Sequence, residues 1–193
     1  MYALYITHPQ VMIDPEVPVP QWGLSERGIE RATQASALPW ARDLKRIVSS
    51  RETKAIETAE ILAQACGASV ETVDVMHEND SSATGFLTPP EFEKAADWFF
   101  ANPHDSFHGW ERAIDAQARI VAAVDSVLAD HDPSQPIAFV GHGGVGTLLK
   151  CHLGGEAISR SQDQPGGGGN LFRFSLADRG LSCDWTAMET WQG

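Results

Sequence analysis

The chain has 193 residues with 42% hydrophobic content, enough for one domain with a real core. Asp plus Glu number 26 against 14 Lys plus Arg, a formal charge of −12 with no basic run, so nucleic acid and anionic membrane are not expected partners. No stretch approaches the roughly 20 apolar residues of a membrane span, and the N-terminus has no basic region leading into an apolar core.

Cys66, Cys151 and Cys183 are far apart and odd in number. They read as free thiols in a reducing, cytoplasmic setting rather than as a disulfide framework or a zinc site.

Tyr2 to Thr7 is a run of strand formers that ends without a spacer in His8 and Pro9. Proline cannot donate to a ladder, so pairing should stop there and leave His8 at the strand's carboxyl end. In an open α/β sheet that edge is where ligands bind. Val11 to Pro20 carries Pro15, Pro18 and Pro20 and reads as a stiff extended loop. Ser25 is a candidate N-cap for a helix through about Ala37, stopped by Pro39.

Lys45 to Ser50 is a second strand. Thr53 to Cys66 is a helix with an alanine-rich apolar stripe and Gly67 as its stop. Ser69 to Val75 alternates as a third strand. His77 to Pro90 is an irregular loop, followed by a helix over Glu91 to Ala101, whose Trp98, Phe99 and Phe100 suit packing. Trp110 to Ala129 is a long amphipathic helix, on which Glu111 and Arg119 fall on nearly one face. Ile137 to Val140 is a buried strand that turns through Gly141 to Gly144 into a helix reaching about Leu153.

Gln164 to Asn170, with four consecutive glycines, reads as a mobile surface loop. Leu171 to Leu176 and Leu181 to Met188 form two last strands, antiparallel across Asp178 to Gly180. Strands alternating with helices predict a single α/β domain over residues 1–193, a three-layer α/β/α sandwich with a mainly parallel central sheet. Residues 77–110 would be a lid-like insertion over its carboxyl edge.

Four segments end at that edge, offering Thr7 and His8, Ser49 to Lys54, His77 and Glu78, and His142 and Gly143. Two histidines, a lysine and a carboxylate can do acid–base or nucleophilic work. His104, His108 and His131 lie in polar turns and are expected at the surface. A metal site built from Asp14 and His77 to Asp80 matches no compact ligand spacing.

In Thr7-His8-Pro9, Leu24-Ser25-Glu26-Arg27-Gly28, Ser49-Ser50-Arg51-Glu52-Thr53-Lys54-Ala55-Ile56-Glu57-Thr58-Ala59, Glu78 and Val140-Gly141-His142-Gly143-Gly144, the chain resembles the histidine phosphatase superfamily, the phosphoglycerate-mutase-like fold. Its members carry Arg-His-Gly, LSxxG, SSxxxRAxxTA, an acidic residue after the third strand and a late His-Gly, in that order. The resemblance implies a phosphomonoester hydrolase acting on a small phosphorylated metabolite. His8 would be the nucleophile, Glu78 the proton donor and later base, and His142 a hydrogen-bond donor to the phosphoryl group. Lys54 would stand where a clamping arginine stands, Thr7 and Arg51 would flank the substrate, and the Gly143 amide would add positive potential at a helix start. No metal or other cofactor is implied, and mutase chemistry ranks below hydrolysis.

The sequence departs from the pattern at Thr7, Pro9, Lys54 and Asp14. A lysine offers one point charge where an arginine offers a planar fork, and an inward-facing Asp14 would add repulsion, for which Arg51 or Arg27 could compensate. These departures keep a second expectation open, a ligand-binding or regulatory protein on the same scaffold, and a third, acid–base chemistry on a non-phosphate substrate. The six tryptophans would allow a homodimer without requiring one.

Overall fold

A computed structural model describes residues 1–193. Six strands make one sheet: β1 (Tyr2–Thr7), β2 (Arg46–Ser49), β3 (Val70–Thr72), β4 (Ile137–Gly141), β5 (Asn170–Ser175) and β6 (Leu181–Ala187). Their order is β3-β2-β4-β1-β5-β6. The first four strands run parallel, and β5 lies antiparallel to both β1 and β6. The helices are α1 (Glu26–Ser36), α2 (Pro39–Asp43), α3 (Thr53–Cys66), α4 (Pro89–Ala101), α5 (Ala113–Ala129) and α6 (Gly143–Gly154). None is long and apolar enough to cross a membrane.

The period-two alternation of the central strands explains the three layers. Ala3 and Tyr5 of β1 and Ile137 and Phe139 of β4 point into one core, with Ile120 of α5, Leu148 of α6 and Phe99 of α4. Leu4, Ile6, Ala138 and Val140 point into the other, with Ala32 of α1, Trp40 of α2 and Leu62 of α3. Strands buried on both faces need nearly continuous apolar sequence, which β1 and β4 have.

Helix ends follow local chemistry. The Ser25 side chain accepts from the Gly28 N–H, and Gly67 closes α3 at φ 73°. The structure moves two predicted starts. α4 begins at Pro89 because proline is favoured in a first turn, with Thr88 and Glu91 forming a capping box. α5 begins at Ala113, and Trp110 packs into the core ahead of it, so Glu111 precedes the helix that carries Arg119.

The four-glycine stretch departs from its expectation as a mobile loop. Gly167, Gly168 and Gly169 are all left-handed, at φ 93°, 61° and 63°, and the Gly169 N–H donates to the His8 carbonyl at 2.9 Å. A Cβ on Gly168 would lie 2.3 Å from that same carbonyl oxygen. Arg31 of α1 donates to the carbonyls of Gly167, Gly168 and Gly169 and pairs with Glu189. The glycines form an ordered strap across the backbone of His8.

Candidate active site

The strand order brings the ends of β1, β2 and β4 side by side. Thr7 pairs with Gly141, and Ser49 pairs with Val140. The His8 N–H still reaches the Gly141 carbonyl at 3.0 Å, and Pro9 ends the ladder. His8 and His142 therefore meet edge to face, ring centroids 5.3 Å apart at 67°.

The Nδ1 of His8 lies 2.8 Å from the Pro9 carbonyl. A carbonyl only accepts, so Nδ1 carries the proton and Nε2 keeps its lone pair. Burial pushes the His8 pKa down to about 4, so the ring is neutral at pH 7.

His142 is fully buried. Its Nε2 lies 2.8 Å from Ser50 Oγ, while its Nδ1 has no partner. Burial holds its pKa well below the usual histidine value, against the pull of Glu52. Tyr5 fixes the backbone beneath it: its hydroxyl donates to the His142 carbonyl and accepts from the His142 N–H, both at 3.2 Å. That approach needs Gly141, where a Cβ would sit 2.4 Å from the Tyr5 oxygen.

Glu78 is seated on the start of α6. Its carboxylate accepts from Gly144 N–H, Val145 N–H and Asn79 N–H, each at 2.9 Å. Burial raises its pKa, and the three N–H bonds pull the other way. Gly144 permits the approach, because a Cβ there would lie 2.7 Å from the carboxylate. Arg119 holds the segment from behind, donating to the carbonyls of Val75 and His77 while paired with Glu111 at 2.6 Å. Gly143 opens α6, where an N–H has no intrahelical partner.

The remaining expected residues are engaged with protein partners. Lys54 is buried, but its ammonium donates to Glu52 at 2.5 Å and to the Val19 carbonyl at 2.9 Å. Thr7 is buried with its hydroxyl on Gln164 and the Asn170 backbone, tying β1 to the glycine strap. Arg51 turns to solvent, its side chain 62% exposed, and pairs with Asp74. Arg27 pairs with Glu30 on the surface of α1. Asp14 is exposed and caps the Glu16 N–H, so it adds no charge to the pocket.

Glu52 is a site residue that sequence reasoning missed. It is 8% exposed. Its carboxylate accepts from Lys54 and, at 3.0 Å, from the Glu78 N–H, and lies 3.4 Å from His142 Nε2. Burial pushes its pKa up, but the positive charge and hydrogen bonds around it win and hold it down at about 2.

Glu78 stands between two clefts. One, of about 460 Å³, has walls that include Phe92, Phe99, Trp110, Arg160 and Gln164. The other, of about 610 Å³, lies between the proline-rich loop and residues 77–86, with Glu52 among its lining residues.

A model of the histidine phosphatase superfamily (branch 1) matches residues 17–186. The chain belongs to the histidine phosphatase superfamily. The matched range begins after His8, so β1 enters the family comparison through the fold. A mycobacterial glucosyl-3-phosphoglycerate phosphatase, solved with inorganic phosphate, superposes with a TM-score of 0.81 at 20% identity, covering 98% of this chain and 99% of that one. The same phosphatase with VO3 gives a TM-score of 0.78 at 22% identity, covering 96% and 98%. YhfR of Bacillus stearothermophilus gives a TM-score of 0.80 at 20% identity, covering 97% and 98%. No curated protein matches the chain in sequence. The sheet with helices on both faces is the phosphoglycerate-mutase-like fold of this superfamily.

Proposed function

We propose that this member of the histidine phosphatase superfamily hydrolyses a small phosphomonoester through a phosphohistidine at His8. The observation that carries this reading is the tautomer of His8: Nδ1 is spent on the Pro9 carbonyl, and Nε2 is a free, neutral nucleophile. In the first step Nε2 attacks phosphorus, the bond to the alcohol oxygen breaks, and that oxygen takes a proton from Glu78. In the second, Glu78 takes a proton from water, whose oxygen attacks phosphorus. The N–P bond then breaks, releasing orthophosphate and restoring the lone pair on Nε2.

A carboxyl whose pKa is raised by burial suits the first step as an acid and the second as a base. The unpartnered Nδ1 of His142 supports its role as a phosphoryl contact, and the Gly143 amide adds the positive end of α6. Residues 77–110 serve in this reading as the lid that selects the alcohol. The superposed structures include a phosphatase solved with inorganic phosphate and with VO3.

One observation favours a second reading, a ligand-binding protein without turnover. Lys54 is committed to Glu52 and Val19, and the Thr7 hydroxyl to Gln164, so neither the ammonium nor the hydroxyl is free for a phosphoryl oxygen. Hydrolysis of an aryl phosphate by wild type and His8→Ala separates the two. Turnover that vanishes in the variant is the expected result, and a wild type with no turnover turns the choice to the second reading.

A further inference from the structure

The glycine strap begins at Gln164, whose amide is held in one orientation by its neighbours. Asn170 Nδ2 lies 3.0 Å from the Pro165 carbonyl and 3.2 Å from the Gly168 carbonyl, so it is the amino end of that side chain. It also donates to Gln164 Oε1 at 3.0 Å. The Thr7 hydroxyl accepts from the Asn170 N–H at 3.0 Å and donates to the same Oε1 at 2.7 Å. Two donors on Oε1 fix Nε2 as the other end of the amide, and Nε2 has no acceptor in the protein.

That free donor lies against the start of α6. A Cβ on Gly143 would sit 2.4 Å from Gln164 Nε2, so the amide touches the residue that follows His142. Its other end rests on Thr7, the residue before His8. The strap is also registered on the nucleophile, through the Gly169 N–H to the His8 carbonyl at 2.9 Å. Gln164, Gly143 and Glu78 face one cleft of about 460 Å³. Arg160 lines it too, but is paired with Glu93 and Asp97. A ligand at this end of α6 is marked independently by His142, which is fully buried with its Nδ1 unpartnered.

We infer that Gln164 is a catalytic residue that donates from Nε2 to a phosphoryl oxygen, beside the Gly143 N–H. Thr7 and Asn170 act through it, as positioning residues that hold Oε1 and so turn Nε2 to the substrate. A donor fixed in this way needs no reorganisation as charge builds on the oxygens. The inference rests on the hydrolase reading of the same site, but its deciding measurement is binding.

The probe is orthovanadate, with its affinity measured by calorimetry for the wild type, Gln164→Glu and Gln164→Met. Gln164→Glu keeps the shape and the acceptor for Thr7 and Asn170 while removing the donor. Gln164→Met removes the donor without adding charge. Both should bind at least ~10-fold more weakly, as for loss of a hydrogen bond to a charged group. Both should also lose about 10²-fold in kcat on an aryl phosphate, as for one oxyanion donor. The melting temperature of Gln164→Glu should stay at the wild-type value.

A purely structural anchor would weaken binding in Gln164→Met alone, together with its melting temperature. A distant charge effect would weaken it in Gln164→Glu alone. Either pattern, unchanged affinity in both variants, or no wild-type binding of vanadate overturns the inference. Affinity that falls in both variants, with no turnover by the wild type, instead overturns hydrolysis and leaves Gln164 as the phosphoryl donor.

Discussion

Two halves of the site differ in how their polar groups are spent. On the histidine side, His8 keeps Nε2 free and His142 keeps Nδ1 without a partner. On the cation side, Lys54 is consumed by Glu52 and Val19, and Thr7 by Gln164 and Asn170. The nucleophile and the charge that receives a phosphoryl group are thus positioned by different parts of the fold. The first depends on strand ends and one carbonyl, and the second on side-chain pairing that a few substitutions can redirect.

The difference can be broken from either half. The largest effect should come from His8→Ala, which removes the nucleophile and should take turnover to background. Glu78→Gln should follow, lowering kcat by roughly 10²- to 10⁴-fold in the range of general acid–base catalysis. The acid limb of the kcat/KM profile should lie near pH 4, because a protonated His8 has no lone pair to offer. The alkaline limb follows the loss of the Glu78 proton, and a pH profile of the wild type checks both.

Stability should respond on the cation side. Lys54→Met leaves a buried carboxylate without its charge partner and should cost about 3–5 kcal/mol in a denaturant melt. Adding Glu52→Leu should recover part of that loss, since the buried charge is gone but the Glu78 N–H loses its acceptor. Gly168→Ala sets a side chain against the His8 carbonyl at φ 61° and should cost about 1–3 kcal/mol, with turnover falling as His8 shifts. Arg51→Ala, in an exposed pair with Asp74, should leave both turnover and melting temperature unchanged.

Burial of Glu52 also gives acid sensitivity a direction. Its folded pKa of about 2 lies below the ordinary carboxylate value, so its contribution is present above that ordinary value and is lost as pH falls through 2.

The sheet was legible because β1 and β4 need apolar side chains on both faces, and because Ser25 and Gly67 mark helix ends by their chemistry. The histidine pair was legible for the same reason: a strand that ends in His8-Pro9 and another that ends in Gly141-His142 must deliver both rings to one edge. Glu52 was not. It precedes α3 in extended backbone, where adjacent side chains diverge, and nothing in Arg51-Glu52 says which turns inward. Burial selected the carboxylate because Lys54, His142 and the Glu78 N–H surround it, while Arg51 found Asp74 outside.

The glycine strap was misread because a run of glycines looks the same whether it is loose or locked. In the structure Gly167 to Gly169 are all left-handed, and Arg31 of α1 locks them through their carbonyls.

The central claim is that His8 carries the phosphoryl group. Rapid quenching of the wild type with a labelled phosphomonoester should trap an acid-labile, base-stable phosphoryl adduct that maps to His8 and is missing from His8→Ala. Turnover without a trapped adduct, or label that persists in the variant, would contradict the account.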